Sequence, residues 1–224
     1  MTLHIGLLVF PKIQQLDLTG PHDVFATLPD TQVHLPWKNR DALVSATGLV
    51  LTPTCSFEEC PALDVICVPG GIGIDALLED EQTLAFIRRQ AAGARYVTSV
   101  CTGALVLGAA GLLQGKRATT HWASHELLRY FGATPVHERV VRDGNLMTGG
   151  GITAGIDFAL TLVAELVSPL AAQTIQLQLE YAPAPPFDAG HPDSAPADVL
   201  RIARDKAAPG VAARRAIIER VVAQ

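Results

Sequence analysis

Short apolar runs that alternate with helical patterns are the feature that most limits the fold of this chain. Residues 64–68 are almost continuously apolar and stop at Pro69-Gly70-Gly71, which is typical of a parallel strand buried on both faces. Residues 95–100 form a second such run, and a small-residue helical pattern follows it directly. Because strands alternate with helices, the sequence predicts an α/β fold built on a mostly parallel sheet.

Similar patterns continue along the chain. Further strands are predicted at residues 3–10, 33–37, 43–46, 49–52 and 117–120, and a hairpin at 136–142 and 146–148 around Asp143-Gly144-Asn145. Helices are predicted at residues 20–28, 74–91, 102–110, 121–131, 153–167 and 170–181. Residues 183–196 are proline-rich and predict a loop. We expect one domain over residues 1–224, with a helical extension from about residue 197 that breaks at Pro209-Gly210.

Composition excludes several classes of protein. The chain has 224 residues, of which 49% are hydrophobic and 17% charged, which indicates a well-filled core. A net charge of −5 without a basic stripe argues against a nucleic-acid partner. No apolar segment is long enough to span a membrane, and we identify no secretory signal. The four cysteines show no disulfide-framework spacing, so we expect a cytoplasmic protein.

Cys101 stands where the strand of residues 95–100 ends and a helix begins. The free N–H groups of a helix N-terminus lower the pKa of a thiol and stabilise an anion. This placement predicts a cysteine version of the nucleophile elbow. A small, buried core cysteine is the alternative that the sequence leaves open.

Two neighbouring motifs are expected at the same edge of the sheet. The stretch from Gly71 to Ala76 fits G-x-G-x-x-A, but the following strand ends without the acid that would hold a ribose, so a dinucleotide site is disfavoured. We expect instead that Gly70-Gly71 bring backbone N–H groups to this edge, where they form an oxyanion hole with the Thr102 N–H beside Cys101. A plain turn is the alternative. The Thr102 hydroxyl, next to the thiol, is a candidate to orient substrate or water.

Asp17 lies between Leu16 and Leu18, and a charge in such an apolar context rarely lacks a partner. Burial would raise its pKa and make it a proton donor or acceptor near neutral pH. The alternative is a cap for a helix that begins near Gly20. His121 and His125 are four residues apart, but no third ligand is evident, so we predict no metal and interpret them as a cap and a surface histidine.

Five segments together resemble the ThiJ/PfpI superfamily, whose fold is like that of flavodoxins and class I glutamine amidotransferases. They are residues 16–21, 64–71, 98–103, 118–122 and 149–157. Within the superfamily the sequence is most similar to the isocyanide hydratases, and the similarity extends into residues 181–187, which have no evident catalytic task.

The resemblance implies a role for each matching residue. Cys101 falls on the nucleophile, and Asp17 falls where the superfamily places an acid beside it. Gly71 and Thr102 fall on backbone donors of the pocket. Ile152 falls at the start of a helix that packs over the cysteine.

The implied activity is the hydration of isocyanides to N-substituted formamides through a thioimidate on Cys101, in a homodimer without metal or organic cofactor.

His121 aligns with a histidine that lies near the cysteine in some relatives, but isocyanide hydratases do not require it, so it receives no role. Ser99 stands where many relatives have Gly or Ala. Two other classes stay open: a glyoxalase or deglycase acting on small aldehydes, and a redox sensor in which Cys101 is oxidised.

Overall fold

Strands and helices alternate in the structure, a computed structural model that describes residues 2–223. The strands are β1 (Leu3–Leu7), β2 (Thr31–His34), β3 (Pro36–Trp37), β4 (Leu43–Val44), β5 (Val50–Leu51), β6 (Cys55–Ser56), β7 (Val65–Val68), β8 (Tyr96–Val100), β9 (Arg117–Ala118), β10 (Thr134–Pro135), β11 (Val140–Asp143) and β12 (Leu146–Gly149). The helices are α1 (Gln15–Ala26), α2 (Ile74–Leu77), α3 (Glu81–Ala91), α4 (Gly103–Ala109), α5 (Ala154–Leu166), α6 (Pro169–Gln178) and α7 (Ala197–Val222), with a 3₁₀ helix at Trp122–Phe131.

A six-stranded sheet in the order β11-β12-β8-β7-β1-β2 forms the centre of the molecule. Every pairing is parallel except β11 with β12, the predicted hairpin. All residues of β7 and all but the first of β8 are buried, because helices cover both faces of the sheet. The predicted α/β fold with a mostly parallel sheet is confirmed.

The helices divide between the two faces as right-handed crossovers require. Helices α1 and α5 pack against each other, and the rings of Phe25 and Phe158 meet edge to face with centroids 6.1 Å apart. On the other face, α4 packs against β7, β8, α2 and α3. The segments that follow β1, β7, β8 and β12 therefore meet at one edge of the sheet, where ligands bind in open α/β folds.

Several predicted boundaries are wrong. The predicted strand at residues 33–37 is divided, since β2 pairs with β1 whereas β3 pairs with β6. The predicted helix at residues 74–91 is interrupted between α2 and α3 by Asp80, whose backbone is extended. Helix α1 starts at Gln15 rather than near Gly20, which places Asp17 inside its first turn.

The predicted break at Pro209-Gly210 is also wrong, because α7 continues through both residues. A proline in a helix removes one backbone donor, and packing of the helix offsets that loss. The packed face includes Ile218, which is fully buried and belongs to the same hydrophobic cluster as the sheet. This shared cluster supports our proposal of a single domain. Across residues 2–223, a helix long and apolar enough to cross a bilayer is not found.

Candidate active site

Cys101 occupies a sharp turn between β8 and α4. Its φ is +55°, in the left-handed region that non-glycine residues seldom adopt. Hydrogen bonds fix the turn on both sides: its N–H donates to the carbonyls of Gly149 (3.1 Å) and Gly150 (2.8 Å), and its carbonyl accepts from the Thr120 hydroxyl (2.7 Å). Such strain persists only where the surroundings determine the conformation, and it is common at functional sites.

Glycines allow the segments around this turn to approach each other closely. A Cβ on Gly103 would overlap the carbonyl oxygen of Val68, at the end of β7. A Cβ on Gly70 would lie 2.6 Å from the Thr102 nitrogen and 2.9 Å from a carboxylate oxygen of Asp17. The residues that follow β7 and β8 are therefore in backbone contact, with the acid directly beside them.

Asp17 is fully buried, and its Oδ2 accepts a hydrogen bond from the Gly70 N–H at 2.9 Å. It does not cap α1, since Gln14 occupies the N-cap position, so the capping alternative is wrong. Burial raises the pKa of Asp17 to about 7, and the Gly70 N–H and the Cys101 thiol oppose that rise. Within residues 2–223, Asp17 Oδ1 has no hydrogen-bond partner. The pKa of the carboxyl group therefore lies near neutral pH, as the sequence analysis expected for a buried acid at this position.

The Cys101 thiol does not behave as the sequence predicted. Burial raises its pKa well above the ordinary value, and the charge of Asp17 adds to the increase. The Thr102 N–H lowers the thiol pKa, but not enough to offset these effects. The predicted lowering of the pKa by the helix N-terminus is therefore wrong for the resting protein, in which the thiol is neutral and lies beside a carboxyl group.

Gly71 and Thr102 are hydrogen-bonded to each other at the site. Gly71 has φ +132°, and its N–H donates to the Thr102 hydroxyl at 3.1 Å. The Thr102 N–H instead interacts with the Cys101 thiol. Of the expected backbone donors, that of Thr102 is directed at the nucleophile in the resting structure, whereas those of Gly70 and Gly71 are bound to Asp17 and to the Thr102 hydroxyl.

A cleft of about 330 Å³ gives access to the thiol. Cys101, Thr102, Gly71 and Ile152 all line it, so the structure brings together four of the five residues singled out by the resemblance. The fifth, Asp17, interacts with Cys101 but is not part of the lining. Much of the remaining lining is apolar: Ala46, Ile72, Ala123, Ala207 and Val211.

His121 and Ile152 also line a second, larger cavity of about 630 Å³. The His121 Nδ1 accepts from the Ala123 N–H at 3.3 Å, which confirms it as a cap, and burial lowers its pKa. His125 is buried and interacts with the Thr120 carbonyl through Nε2, so the surface position predicted for it is wrong. Among residues 2–223, no group of three or more metal-ligating side chains comes together.

Sequence reasoning missed Arg214, which reaches the cleft from α7. Its guanidinium Nε donates to Asp75 at 2.6 Å, and the side chain is only 9% exposed. A signal was present: Val211, Arg214 and Ile218 are three and four residues apart, so they share the inward face of one helix. An arginine on an apolar face indicates a buried partner.

A family profile, a protein sequence and a crystal structure all match most of this chain. The DJ-1/PfpI family profile matches residues 4–165. The chain is 69% identical over 224 residues to the isonitrile hydratase of Pseudomonas putida, covering 100% of this chain and 98% of that protein. The crystal structure of a ThiJ/PfpI family protein from Pseudomonas syringae superposes with a TM-score of 0.95 at 43% identity, covering 97% of this chain and 91% of that one.

A more distant structure shares the fold. Drosophila melanogaster DJ-1beta superposes with a TM-score of 0.74 at 23% identity, over 82% of this chain and 100% of that one. The family profile and the full-length similarity lead to one conclusion, and the position of Cys101 between strand and helix is consistent with it. The chain belongs to the DJ-1/PfpI family.

Proposed function

We propose that this protein is an isocyanide hydratase, a lyase that adds water to R–N≡C and releases an N-substituted formamide. The observation that carries the proposal is the buried pair of Asp17, with a pKa of about 7, and the Cys101 thiol, next to an apolar cleft. The full-length identity of 69% to an isonitrile hydratase supports the same reaction.

The first half of the reaction joins the substrate carbon to sulfur. Asp17 accepts the thiol proton, and the Cys101 thiolate attacks the terminal carbon of the isocyanide. Asp17 then delivers the proton to that same carbon, which gives the thioimidate R–N=CH–S–Cys101. The Thr102 N–H stabilises the thiolate while it exists. In this scheme the turn at Cys101 acts as a nucleophile elbow, because it holds sulfur at the edge of the sheet.

The second half releases the product. Asp17, now ionised, accepts a proton from water while the hydroxyl group adds to the thioimidate carbon, and it then protonates the nitrogen. The C–S bond breaks as the hydroxyl proton passes through Asp17 to sulfur, which releases the formamide and restores the thiol. Rotation of the Thr102 hydroxyl frees the Gly71 N–H to stabilise charge on this intermediate. The scheme balances without a metal or an organic cofactor.

Cys101→Ala tests the proposal directly. The wild-type protein should form N-cyclohexylformamide from cyclohexyl isocyanide, and the variant should form none, because no thioimidate can form without sulfur. Cys60→Ser, which changes a half-buried cysteine outside the cleft, is the matched control and should keep wild-type turnover. Product is followed by mass spectrometry. Substantial turnover by Cys101→Ala would overturn the nucleophile assignment, and an inactive wild-type protein would overturn the function.

The two alternative functions have less support. A glyoxalase or deglycase would consume methylglyoxal and leave isocyanides unchanged, so the same assay with both compounds separates these enzymes. A redox sensor needs an accessible thiol with a low pKa. Cys101 is 5% exposed and its pKa is raised, so the structure gives that alternative no support.

We also propose that the protein is a cytoplasmic homodimer without a nucleic-acid partner. Leu170 and Leu177 are 75% and 81% exposed, and their seven-residue spacing places them on one face of α6. A second copy of the chain would cover such apolar surface. A monomeric mass in analytical ultracentrifugation would contradict the dimer. The net charge of −5 supports the absence of a nucleic-acid partner. The four unpaired cysteines support a cytoplasmic location.

A further inference from the structure

The segment between β12 and α5 lies directly against the reactive turn. Cys101 donates its N–H to the carbonyls of Gly149 and Gly150, and Ile152 of the same segment lines the cleft. The left-handed backbone at Cys101 persists only while its surroundings hold it, and this segment is one of its supports. The position of sulfur therefore depends on what holds the residues from Gly150 to Thr153.

Arg139 holds that segment at both of its ends. It lies between β10 and β11, and its backbone carbonyl accepts the Gly150 N–H at 2.9 Å. Its guanidinium group donates to the Thr153 hydroxyl at 3.1 Å and, through Nε, to Asp157 Oδ2 at 2.7 Å. A guanidinium is a planar fork of donors, which suits it to hold two acceptors at once. One residue thus connects Gly150 with the first turn of α5.

Tyr181 also contacts this cluster. Its hydroxyl donates to Asp157 Oδ2 at 2.9 Å, the oxygen that already accepts from Arg139. Because the carboxylate accepts from two side chains on different segments, its place in the first turn of α5 is well defined. Residues 181–187 have no evident catalytic task in the sequence, and this contact gives the first of them a function in holding α5.

The ion pair in this cluster contributes little to stability. The Arg139 and Asp157 side chains are 50% and 32% exposed, and pairs with such exposure add little to the free energy of unfolding. Arg142 and Glu165 form a pair of nearly the same exposure, 49% and 35%, at the other end of α5. Both pairs attach the same helix, but only the first is joined to the segment that supports Cys101.

We propose that Arg139 is a positioning residue for the turn that carries Cys101. It acts through Gly150, because holding the carbonyl that accepts the Cys101 N–H also holds sulfur at a constant distance from Asp17. The inference rests on the proposed function and adds to it a residue outside the lining of the cleft. Proton transfer between thiol and carboxyl depends on this distance, and a displacement of about 1 Å can lower a rate about 100-fold.

Arg139→Gln tests the proposal, because it removes the ion pair and leaves the backbone carbonyl in place. With cyclohexyl isocyanide, kcat should fall about fivefold or more, since sulfur is held less well against Asp17. KM should change less than about twofold, since the residues that line the cleft are intact. Arg142→Gln removes the matched pair and should leave both constants unchanged. Urea unfolding should show a small and similar loss of stability in the two variants.

Two further variants keep the test decisive if Arg139→Gln does not fold. Arg139→Lys retains the charge without the fork, so its kcat should be below that of the wild type and above that of any folded Arg139→Gln. Tyr181→Phe removes one hydroxyl and should lower kcat about twofold at constant KM.

Wild-type kcat in the folded Arg139 variants, or an equal fall in kcat in Arg142→Gln, overturns the inference and leaves the proposed function intact. A wild-type protein that does not hydrate cyclohexyl isocyanide overturns the proposed function and the inference with it.

Discussion

At the scale of single residues, Cys101 and Asp17 carry the proposed chemistry, and each changes the pKa of the other. Burial disfavours the charged form of both groups, and the Asp17 carboxylate further raises the thiol pKa. In the proposed mechanism, sulfur is therefore activated by transfer of its proton to Asp17, because the resting thiol is neutral. Asp17 is suited to that exchange because its pKa of about 7 makes both of its protonation states accessible at neutral pH.

Asp17→Asn should change both stability and turnover. The pKa of Asp17 rises from an ordinary 3.8 to about 7 on folding, so between these values the folded state holds a proton that the unfolded state has lost. The free energy of unfolding of the wild type therefore falls as the pH rises through this window. Relative to that of Asp17→Asn, it should fall by about 4 kcal/mol between pH 4 and pH 8. Turnover should fall about 100-fold or more.

Urea unfolding of both proteins at pH 4 and pH 8 measures the first effect, and formamide production measures the second. Asp23→Asn is the control, since Asp23 belongs to the same helix and its side chain is 70% exposed. The same pH dependence of the free energy of unfolding in the wild type and in Asp17→Asn would contradict a raised pKa for the buried Asp17.

At the scale of elements, the reactive turn depends on the packing of α4 against β7. The left-handed conformation of Cys101 brings the start of α4 so close to Val68 that only a glycine fits at position 103. Helix α4 has seven residues and is too short to be stable alone. Its position, and with it the direction of the Thr102 N–H, is set by contact with the sheet.

Gly103→Ala should therefore destabilise the protein by about 1–3 kcal/mol, the usual cost of overpacking. The added methyl group overlaps the Val68 carbonyl and lies 2.7 Å from that of Pro69. Gly93→Ala is the matched control, because a Cβ there meets no heavy atom within 4 Å. Chemical denaturation measures both variants, and equal stability of the two would contradict the close approach of α4 to β7.

At the scale of the whole molecule, α7 joins parts of the chain that are far apart in sequence. The Arg214–Asp75 pair spans 139 residues and is mostly shielded from water, with side-chain exposures of 9% and 28%. Removal of one partner from such a pair leaves the other charge poorly compensated. The pair therefore contributes more to the attachment of α7 than the exposed ion pairs within that helix.

Arg214→Gln should lower the free energy of unfolding by about 2 kcal/mol, since the pair is only partly buried. In the Asp75→Asn background the same change should cost less, with a coupling of about 1 kcal/mol or more between the two sites. Arg201→Gln is the control. The Arg201 side chain is 63% exposed and pairs with Asp198 and Asp205 of the same helix, so this substitution should cost less than about 0.5 kcal/mol. Additive effects in this double-mutant cycle would show that the pair does not hold the helix.

The sequence was most informative where local pattern and tertiary environment agree. The apolar runs at residues 64–68 and 95–100 coincide closely with β7 and β8, and the cysteine between strand and helix was apparent from its neighbours. The continuous α7 was not predictable, because Pro209-Gly210 is a local signal for a break that packing overrides. The raised thiol pKa was missed for the same reason, since it depends on burial and on a carboxylate 84 positions earlier in the chain.

In the proposed mechanism, the pairing of Cys101 with Asp17 also selects among electrophiles, and this selection does not depend on the shape of the cleft. An isocyanide takes sulfur and a proton on the same carbon, so the first addition leaves the site with the charge it had before. An electrophile that takes sulfur alone leaves the thiol proton on Asp17, so the carboxyl group must lose that proton before it can act as a base again. The proposed mechanism thus favours an electrophile that accepts both the electron pair of sulfur and the proton held by Asp17.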